Sequence, residues 1–359
     1  MRRLAAVRGI DLHVVYGQPS PAERGKRDTG ELSWAEFSAN WYLPIKEKKD
    51  LCWQRIPQGL RDSDLIIFMQ ENRLLSNYYW MLKRRLGGPK IAFWGHGKDF
   101  QSNAPGGLRE RFKEAMLTKV DWWFAYTSMT VEVLRRAGFP PERVTCLNNS
   151  MDTAGLRKDA AHVSGEHIET LRRQLELPAG GPVGLFCGSL YPDKRLELLI
   201  AACDLVVERH PEFRLVVIGD GASRGFLVEA FESRPWAKWV GIQRGVDKAA
   251  YFRLARFVLN PGLVGLHVLD AFAMGLPMIT TANAKHSPEI AYMQDGVNGV
   301  ICGDSPKAYA DAVTNLIEDS ALYQRIASGA LAAGVEYSVE RMAENFIDGI
   351  SACVKGEAI

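Results

Sequence analysis

Residues 260–277 read NPGLVGLHVLDAFAMGLP, and this stretch decides the fold. It opens where one apolar run, residues 257–260, ends, and it closes where a second, residues 277–280, begins. Between them lie a loop carrying Gly262 and Gly265 and a helix expected over 267–274, stopped by Gly275 and Pro277. Strand, glycine-bearing loop, helix and second strand make a βαβ unit, whose strands run parallel. The backbone N–H groups of such a loop can cradle phosphate oxygens. Asp270 stands on the first helical turn, where a carboxylate can accept both hydroxyls of a ribose.

Working back along the chain, residues 183–187 form another strand, followed by Gly188-Ser189-Leu190-Tyr191-Pro192-Asp193-Lys194-Arg195 and a helix over 195–210. A glycine after the strand lets backbone approach a ligand, and Lys194 and Arg195 stand near a helix start that already favours an anion. A diphosphate fits there; a plain strand-to-helix turn with solvated charges fits the same letters. Strands over 213–218 and 239–240 and helices over 226–232 and 248–255 complete the half, and the tail is helical over 306–318, 321–333 and 339–354.

The N-terminal half repeats the rhythm. Strands are expected at 11–16, 64–68, 90–94, 122–126 and 144–147, with helices over 74–86 and 128–137. Residues 151–182 break it, being polar first and rich in Pro and Gly later. The expected domains are therefore 1–165 and 180–338, with a helix at about 339–359 able to pack back on the first.

Composition excludes several classes. Of 359 residues 47% are apolar and 24% charged, and Lys+Arg 44 against Asp+Glu 42 leaves a net charge of +2, so no global nucleic-acid signal exists. Six scattered cysteines form no C-x-x-C, which argues for buried thiols in a reducing compartment rather than a zinc site. No run approaches the ~18 apolar residues of a membrane span. Residues 1–8 lack the long apolar segment of a signal peptide. The expectation is a cytoplasmic protein, at most peripheral to the inner face of the membrane.

These segments, with Val217-Ile218-Gly219-Asp220-Gly221, Ser287-Pro288-Glu289-Ile290 and Asp295-Gly296-Val297-Asn298-Gly299, resemble the donor half of GT-B glycosyltransferases, above all the retaining enzymes of family 4 in bacterial polysaccharide and lipopolysaccharide synthesis. The N-terminal half is similar mainly at Phe93-Trp94-Gly95-His96-Gly97. The resemblance implies an α/β protein of two Rossmann-like domains facing across a cleft. It implies transfer of a sugar from a nucleoside-diphosphate sugar to a glycan or lipid-linked acceptor, with no metal or other cofactor. Lys194 matches the pyrophosphate lysine and Asp270 the second acid of E-x7-E, the ribose ligand. Gly188, Ser189, Gly241, Ile242, Gly262, Leu263, Val264, Gly265, Leu266 and Glu289 are implied around the donor, and Lys98 and Asp99 around the acceptor. His96 matches a histidine that reaches the transferred sugar.

Three departures stand out. The first acid of E-x7-E falls on Gly262, which implies altered sugar contacts. The arginine that partners the pyrophosphate lysine falls on Ser189, with adjacent Arg195 available in its place. Residues 1–9 read as the end of the first helix, so the first strand and glycine-rich loop of the family are expected to be missing from the N-terminal sheet. A late start codon and a lost element both account for that.

Beside these sites, His267 at the helix start can touch a phosphate, and His286 precedes Ser287. Tyr78-Tyr79-Trp80 with Lys83, Arg84, Arg85, Arg109, Arg111 and Lys113 could form an interfacial patch for a lipid-linked acceptor; solvated helix faces are the plainer reading. A nucleotide-sugar epimerase of the same shape and a catalytically impaired scaffold remain rival functions.

Overall fold

In a computed structural model, which describes residues 1–20, 32–46, 49–98 and 108–357, the chain divides into two units. One comprises Met1–Asn148 with Met342–Ile359, the other Asn149–Arg341.

The first unit is built on four parallel strands, β5 (Leu65–Met69), β6 (Lys90–Gly95), β7 (Trp122–Ala125) and β8 (Val144–Cys146), adjacent in chain order. Period-2 alternation sorts their side chains onto two faces. Phe68, Ile91, Phe93 and Trp123 pack with Trp80 and Met81 of α2 (Leu75–Arg85), Leu117 of α3 (Leu108–Leu117) and Leu134 of α4 (Ser128–Arg136). Ala92, Trp122 and Phe124 face Ala5 of α1 (Arg2–Val7) and Phe346, Ile347 and Ile350 of α13 (Val339–Lys355). Phe124 and Phe346 stack at 4.5 Å, and Lys90 Nζ donates to the carbonyls of Cys353 and Val354 at the end of α13.

Ahead of this sheet lie two small two-stranded pieces. The strand expected at 11–16 shrinks to β1 (Val15–Tyr16), paired in parallel with β2 (Glu36–Phe37). The antiparallel hairpin β3 (Trp41–Lys46) and β4 (Lys49–Trp53) was not expected.

The second unit has six parallel strands: β9 (Val183–Cys187), β10 (Arg214–Ile218), β11 (Ala237–Trp239), β12 (Phe257–Leu259), β13 (Met278–Thr281) and β14 (Gly299–Cys302). Their spatial order is β11-β10-β9-β12-β13-β14, the doubly wound order of a dinucleotide-binding fold. One face packs on α7 (Leu196–Arg209), α8 (Arg224–Glu232) and α11 (Pro306–Glu318). The other packs on α5 (Ala154–His162), α6 (Gly165–Gln174), α9 (Gly245–Leu254) and α10 (Val268–Ala273), while α12 (Ser320–Glu336) gives Ile326 to the first core and Ala330 and Ala333 to the second.

The domain boundary needs correction. The N-terminal unit ends at Asn148, not at 165, and residues 151–182 are no linker. Leu156, Ala160 and Leu171 of α5 and α6 share a core with Ala249 and Phe252 of α9, so the C-terminal sheet claims both helices.

Gly349 marks the closest approach of α13 to the N-terminal sheet. A Cβ there would lie 2.7 Å from the Phe124 ring and closer still to Thr145 Oγ1. Gly349→Ala is therefore expected to cost about 1–3 kcal/mol through overpacking, read as a lower denaturant midpoint at unchanged slope. The solvent-facing control Gly165→Ala, with nothing within 4 Å of its Cβ, should leave the midpoint unchanged.

Candidate donor site

In a doubly wound sheet ligands bind beyond the carboxyl ends of the strands, at the point where strand order reverses. Here that point lies between β9 and β12. The two loops singled out from sequence, 188–195 and 260–267, leave those two strands, so the fold places them side by side.

Their contact is intimate. The Asp193 carbonyl accepts the Leu263 N–H at 2.8 Å, and a Cβ on Gly262 would lie 2.5 Å from Lys194 Cα. The position where the family carries its first acid is thus occupied by the backbone of the neighbouring loop, and only glycine fits. Lys194 is buried beneath this crossing, its Nζ donating to the Leu263 carbonyl at 2.5 Å. Asn260 Nδ2 donates to the same carbonyl at 3.0 Å. Burial pulls the Lys194 pKa down to about 8, against the smaller upward pull of Asp193 and Cys187.

Arg195 adopts a left-handed conformation, φ 54°, rare for a residue with a side chain. Its guanidinium pairs with Asp304 and donates to Thr281 Oγ1 at 2.8 Å. It is one-third exposed and already neutralised, so it is a weaker stand-in for the missing arginine than adjacency suggested. Ser189 is exposed and Gly188 half-buried.

The second loop gives most of its backbone to neighbouring segments. Val264 N–H donates to His286 Nδ1 at 3.1 Å, and the Val264 carbonyl accepts the Ser287 N–H at 3.0 Å. His286 Nε2 lies 2.7 Å from the Thr281 carbonyl, so its proton sits on Nε2, and burial lowers its pKa. Gly262, Leu263 and Val264 therefore shape the site from within, while Gly265 and Leu266 are half-buried, Leu266 packing against the core. Gly265 N–H approaches His267 Nδ1 at 3.4 Å. Burial, with Lys194 and Lys248 adding to it, holds the His267 pKa near about 3. The neutral ring must then carry its proton on Nε2, which is buried without a partner among the described residues. It is a donor in want of an acceptor.

Asp270 is buried on α10 and ion-paired with Lys248 Nζ of α9 at 2.7 Å. Burial raises its pKa, outweighing the downward pull of Lys248. Lys248 carries no motif, and sequence reasoning missed it. Glu289 is also buried, with its pKa raised by burial; its hydrogen bond comes from the Asn149 side chain. Gly241, φ 70°, accepts the Gly219 N–H at 2.8 Å, and exposed Ile242 follows it. The segment 295–299 proves to be a turn: Asn298 bonds the Tyr292 carbonyl and the Gln294 N–H, both at 2.8 Å.

In the N-terminal unit His96 follows β6 and packs edge-on against Tyr126, ring centroids 4.1 Å apart. Lys98 is exposed, whereas Asp99 lies outside the described residues. Of the aromatic and basic patch, Trp80 belongs to the core and Arg84 pairs with Asp121 at 2.7 Å, while Tyr79 is exposed.

The close passage over Gly262 is open to test. Gly262→Glu, which restores the acid of the family motif, is expected to destabilise the chain by about 2 kcal/mol or more and to weaken ligand binding rather than improve it. Calorimetric melting with and without nucleotide measures both.

Residues 181–319 match the family model "Glycosyl transferases group 1". A D-inositol 3-phosphate glycosyltransferase of Salinispora arenicola is 27% identical over 264 residues, 69% of this chain and 57% of the relative. The chain spans about half the length of the curated relatives it matches. Among solved structures, Anabaena Alr3699/HepE in complex with UDP aligns over 82% of this chain and 80% of its own, with TM-score 0.65 and 19% identity. A glycosyltransferase from Rickettsia africae aligns over 99% and 93%, with TM-score 0.69 and 12% identity. Residues 181–319 are accordingly similar to the glycosyl transferases group 1 domain, and the chain has the α/β fold class of the GT-B glycosyltransferases.

Proposed function

We propose that this chain is a glycosyltransferase that moves a sugar from a nucleoside-diphosphate sugar to a glycan or lipid-linked acceptor, with retention of anomeric configuration. The observation that carries the proposal is that buried Lys194 and buried Asp270 both lie on the segments that leave β9 and β12, at the switch point of the sheet. A diphosphate supplies the anion that Lys194 lacks, and a ribose supplies hydroxyls for Asp270. The Anabaena structure, a complex with UDP, supports a nucleotide ligand for this fold, and curated relatives named D-inositol 3-phosphate glycosyltransferases support glycosyl transfer.

Chemically, Lys194 would hold positive charge against the oxygen of the departing diphosphate, and such preorganised charge is usually the largest catalytic term. His267 Nε2 and the Gly265–Leu266 turn would add donors. Binding both substrates contributes proximity. The reading requires no metal or further cofactor, since Lys194 already supplies the charge. The acceptor falls to the N-terminal unit, with His96, Lys98 and Asp99 as its contacts. Work on polysaccharide or lipopolysaccharide at the cytoplasmic face, with peripheral membrane contact, fits such an acceptor. Among the described residues no helix is long and apolar enough to cross a membrane.

A thermal-shift series against UDP, GDP, ADP, dTDP and their sugar conjugates tests the proposal, because a ligand of the native state raises the melting temperature. One nucleotide is expected to shift it, and Lys194→Ala and Asp270→Ala are each expected to abolish the shift. No shift with any of them, from folded protein, would favour the scaffold reading. Interconversion of donor sugars without acceptor would favour the epimerase.

Protonation gives a second test. The folded pKa of Lys194, about 8, lies below its ordinary 10.5, so below pH 8 the folded state carries an unfavourable charge that the unfolded chain solvates freely. Its contribution to stability therefore improves as pH rises from about 8 to 10.5. Nucleotide binding, which needs the charge, weakens above pH 8 by up to about tenfold per unit. Lys194→Met is expected to bind no nucleotide yet to be about 1–3 kcal/mol more stable at pH 7, an advantage that shrinks towards pH 10.

A further inference from the structure

The hairpin of β3 and β4 is inverted relative to an ordinary surface hairpin. Alternation divides its positions into two faces, with Trp41, Leu43, Ile45, Leu51 and Trp53 on one and Tyr42, Pro44, Asp50 and Cys52 on the other. The second face turns to the body of the unit: Cys52 is buried and bridges Leu74, and Tyr42 Oη donates to the Gln18 carbonyl at 2.8 Å. The first face is open. Trp41 and Leu43 are each 61% exposed and Ile45 55%.

The open face continues onto α2. Trp53 touches Tyr79, ring centroids 5.5 Å apart, and Tyr79, Leu82 and Leu86 recur at helical spacing along one side. Leu82 is 58% and Leu86 79% exposed. Six exposed large apolar side chains, with half-buried Leu51 and Trp53 among them, thus line one strip from β3 to the end of α2, well beyond the singly scattered apolar residues normal on a surface.

The charge beside the strip selects its occupant. Among the described residues no acidic residue stands on the outer-face positions of the hairpin, and α2 contains none. The flanking cations lie over the rings: Arg55 is 5.2 Å from the Trp41 ring centroid, and Lys83 is 5.9 Å from that of Tyr79. Arg85 adds a third charge at the last turn of α2. Aromatic and aliphatic side chains edged by Arg and Lys suit the headgroup boundary of an anionic bilayer. A second copy of the same cationic strip would meet like charge instead.

We infer that the outer face of the β3–β4 hairpin, together with the Tyr79–Leu82–Leu86 side of α2, is the surface by which this chain docks on an anionic lipid bilayer. The inference deepens the membrane contact proposed above and rests on that reading for its purpose, though not for its geometry. It moves the contact away from Trp80 and Arg84, which the fold uses internally.

Flotation of the full chain with phosphatidylcholine vesicles, with and without phosphatidylglycerol, tests it. The wild type is expected to float with the anionic vesicles and far less with the neutral ones. Leu43→Glu combined with Ile45→Glu, both on exposed positions, is expected to reduce partitioning about tenfold or more. Lys83→Glu with Arg85→Glu is expected to abolish the preference for phosphatidylglycerol. The same variants should keep the nucleotide-dependent thermal shift, so a failed donor reading and a failed docking surface give different results. Absence of wild-type flotation, or flotation undiminished in the Leu43/Ile45 variant, overturns the inference. So does a dimer in solution that this variant dissociates, which would assign the strip to a second copy.

Discussion

The carboxyl edge of the C-terminal sheet depends on one close passage, that of the Asp193–Lys194 backbone over Gly262. Because position 262 has no side chain, the Asp193 carbonyl reaches the Leu263 N–H, and Lys194 is drawn beneath to the Leu263 carbonyl. The turn that follows forces Arg195 into the left-handed region and aims it at Asp304 and Thr281. One missing Cβ therefore ties together loops that are some seventy residues apart in sequence. It also joins two departures from the family pattern that look independent in the sequence. With the acid gone from 262, the lysine loop lies in its place, and a carboxylate could not return without moving that loop.

Charge at the site is arranged so that a ligand completes it. Lys194 is buried against the Leu263 carbonyl oxygen, and its pKa falls; Asp270 is buried against one ammonium, and its pKa rises. In each case desolvation is the largest cause, so the protein keeps two opposite charges in a setting that disfavours both. Arg84–Asp121, half-exposed and at 2.7 Å, shows what an ordinary structural pair looks like in the same chain. Buried groups pushed away from their charged forms, gathered at a switch point, mark a functional site better than ion pairs alone do.

The sequence made most of the C-terminal half legible because the strands there are short apolar runs bounded by glycine or proline, and each loop that matters follows one; only β14 was not expected. Residues 151–182 were misread because α5 and α6 are polar on most faces and bury only a few side chains such as Leu156 and Leu171 against α9. The β3–β4 hairpin was missed although its alternation is regular, since its larger apolar residues point outward and give no core signal. Lys248 could not have been found from spacing: its partner lies twenty-two residues away, on the helix beyond β12. Gly262 was visible as an absent acid, but only packing reveals that the vacancy is filled.

The connection between the units explains the position of Glu289. The chain enters the C-terminal unit at Asn149 and leaves it at Arg341, so the two ends of that unit must lie together. A small cluster holds them: Tyr292 Oη donates to the Asn149 carbonyl at 2.9 Å, Ser150 Oγ to the Tyr337 carbonyl at 2.6 Å, and Tyr292 stacks on Tyr337 at 4.2 Å. Asn148, immediately outside, takes a left-handed φ of 54°. Glu289 belongs to this cluster through the Asn149 amide and is carried on the same short helical turn, Pro288–Tyr292, as the clamping tyrosine. Ser287, at the head of that turn, gives its N–H to Val264 of the donor loop. The segment that follows β13 thus bonds both to the second phosphate-suited loop and to the point where the chain enters the unit, so a shift of either is felt by the carboxylate between them.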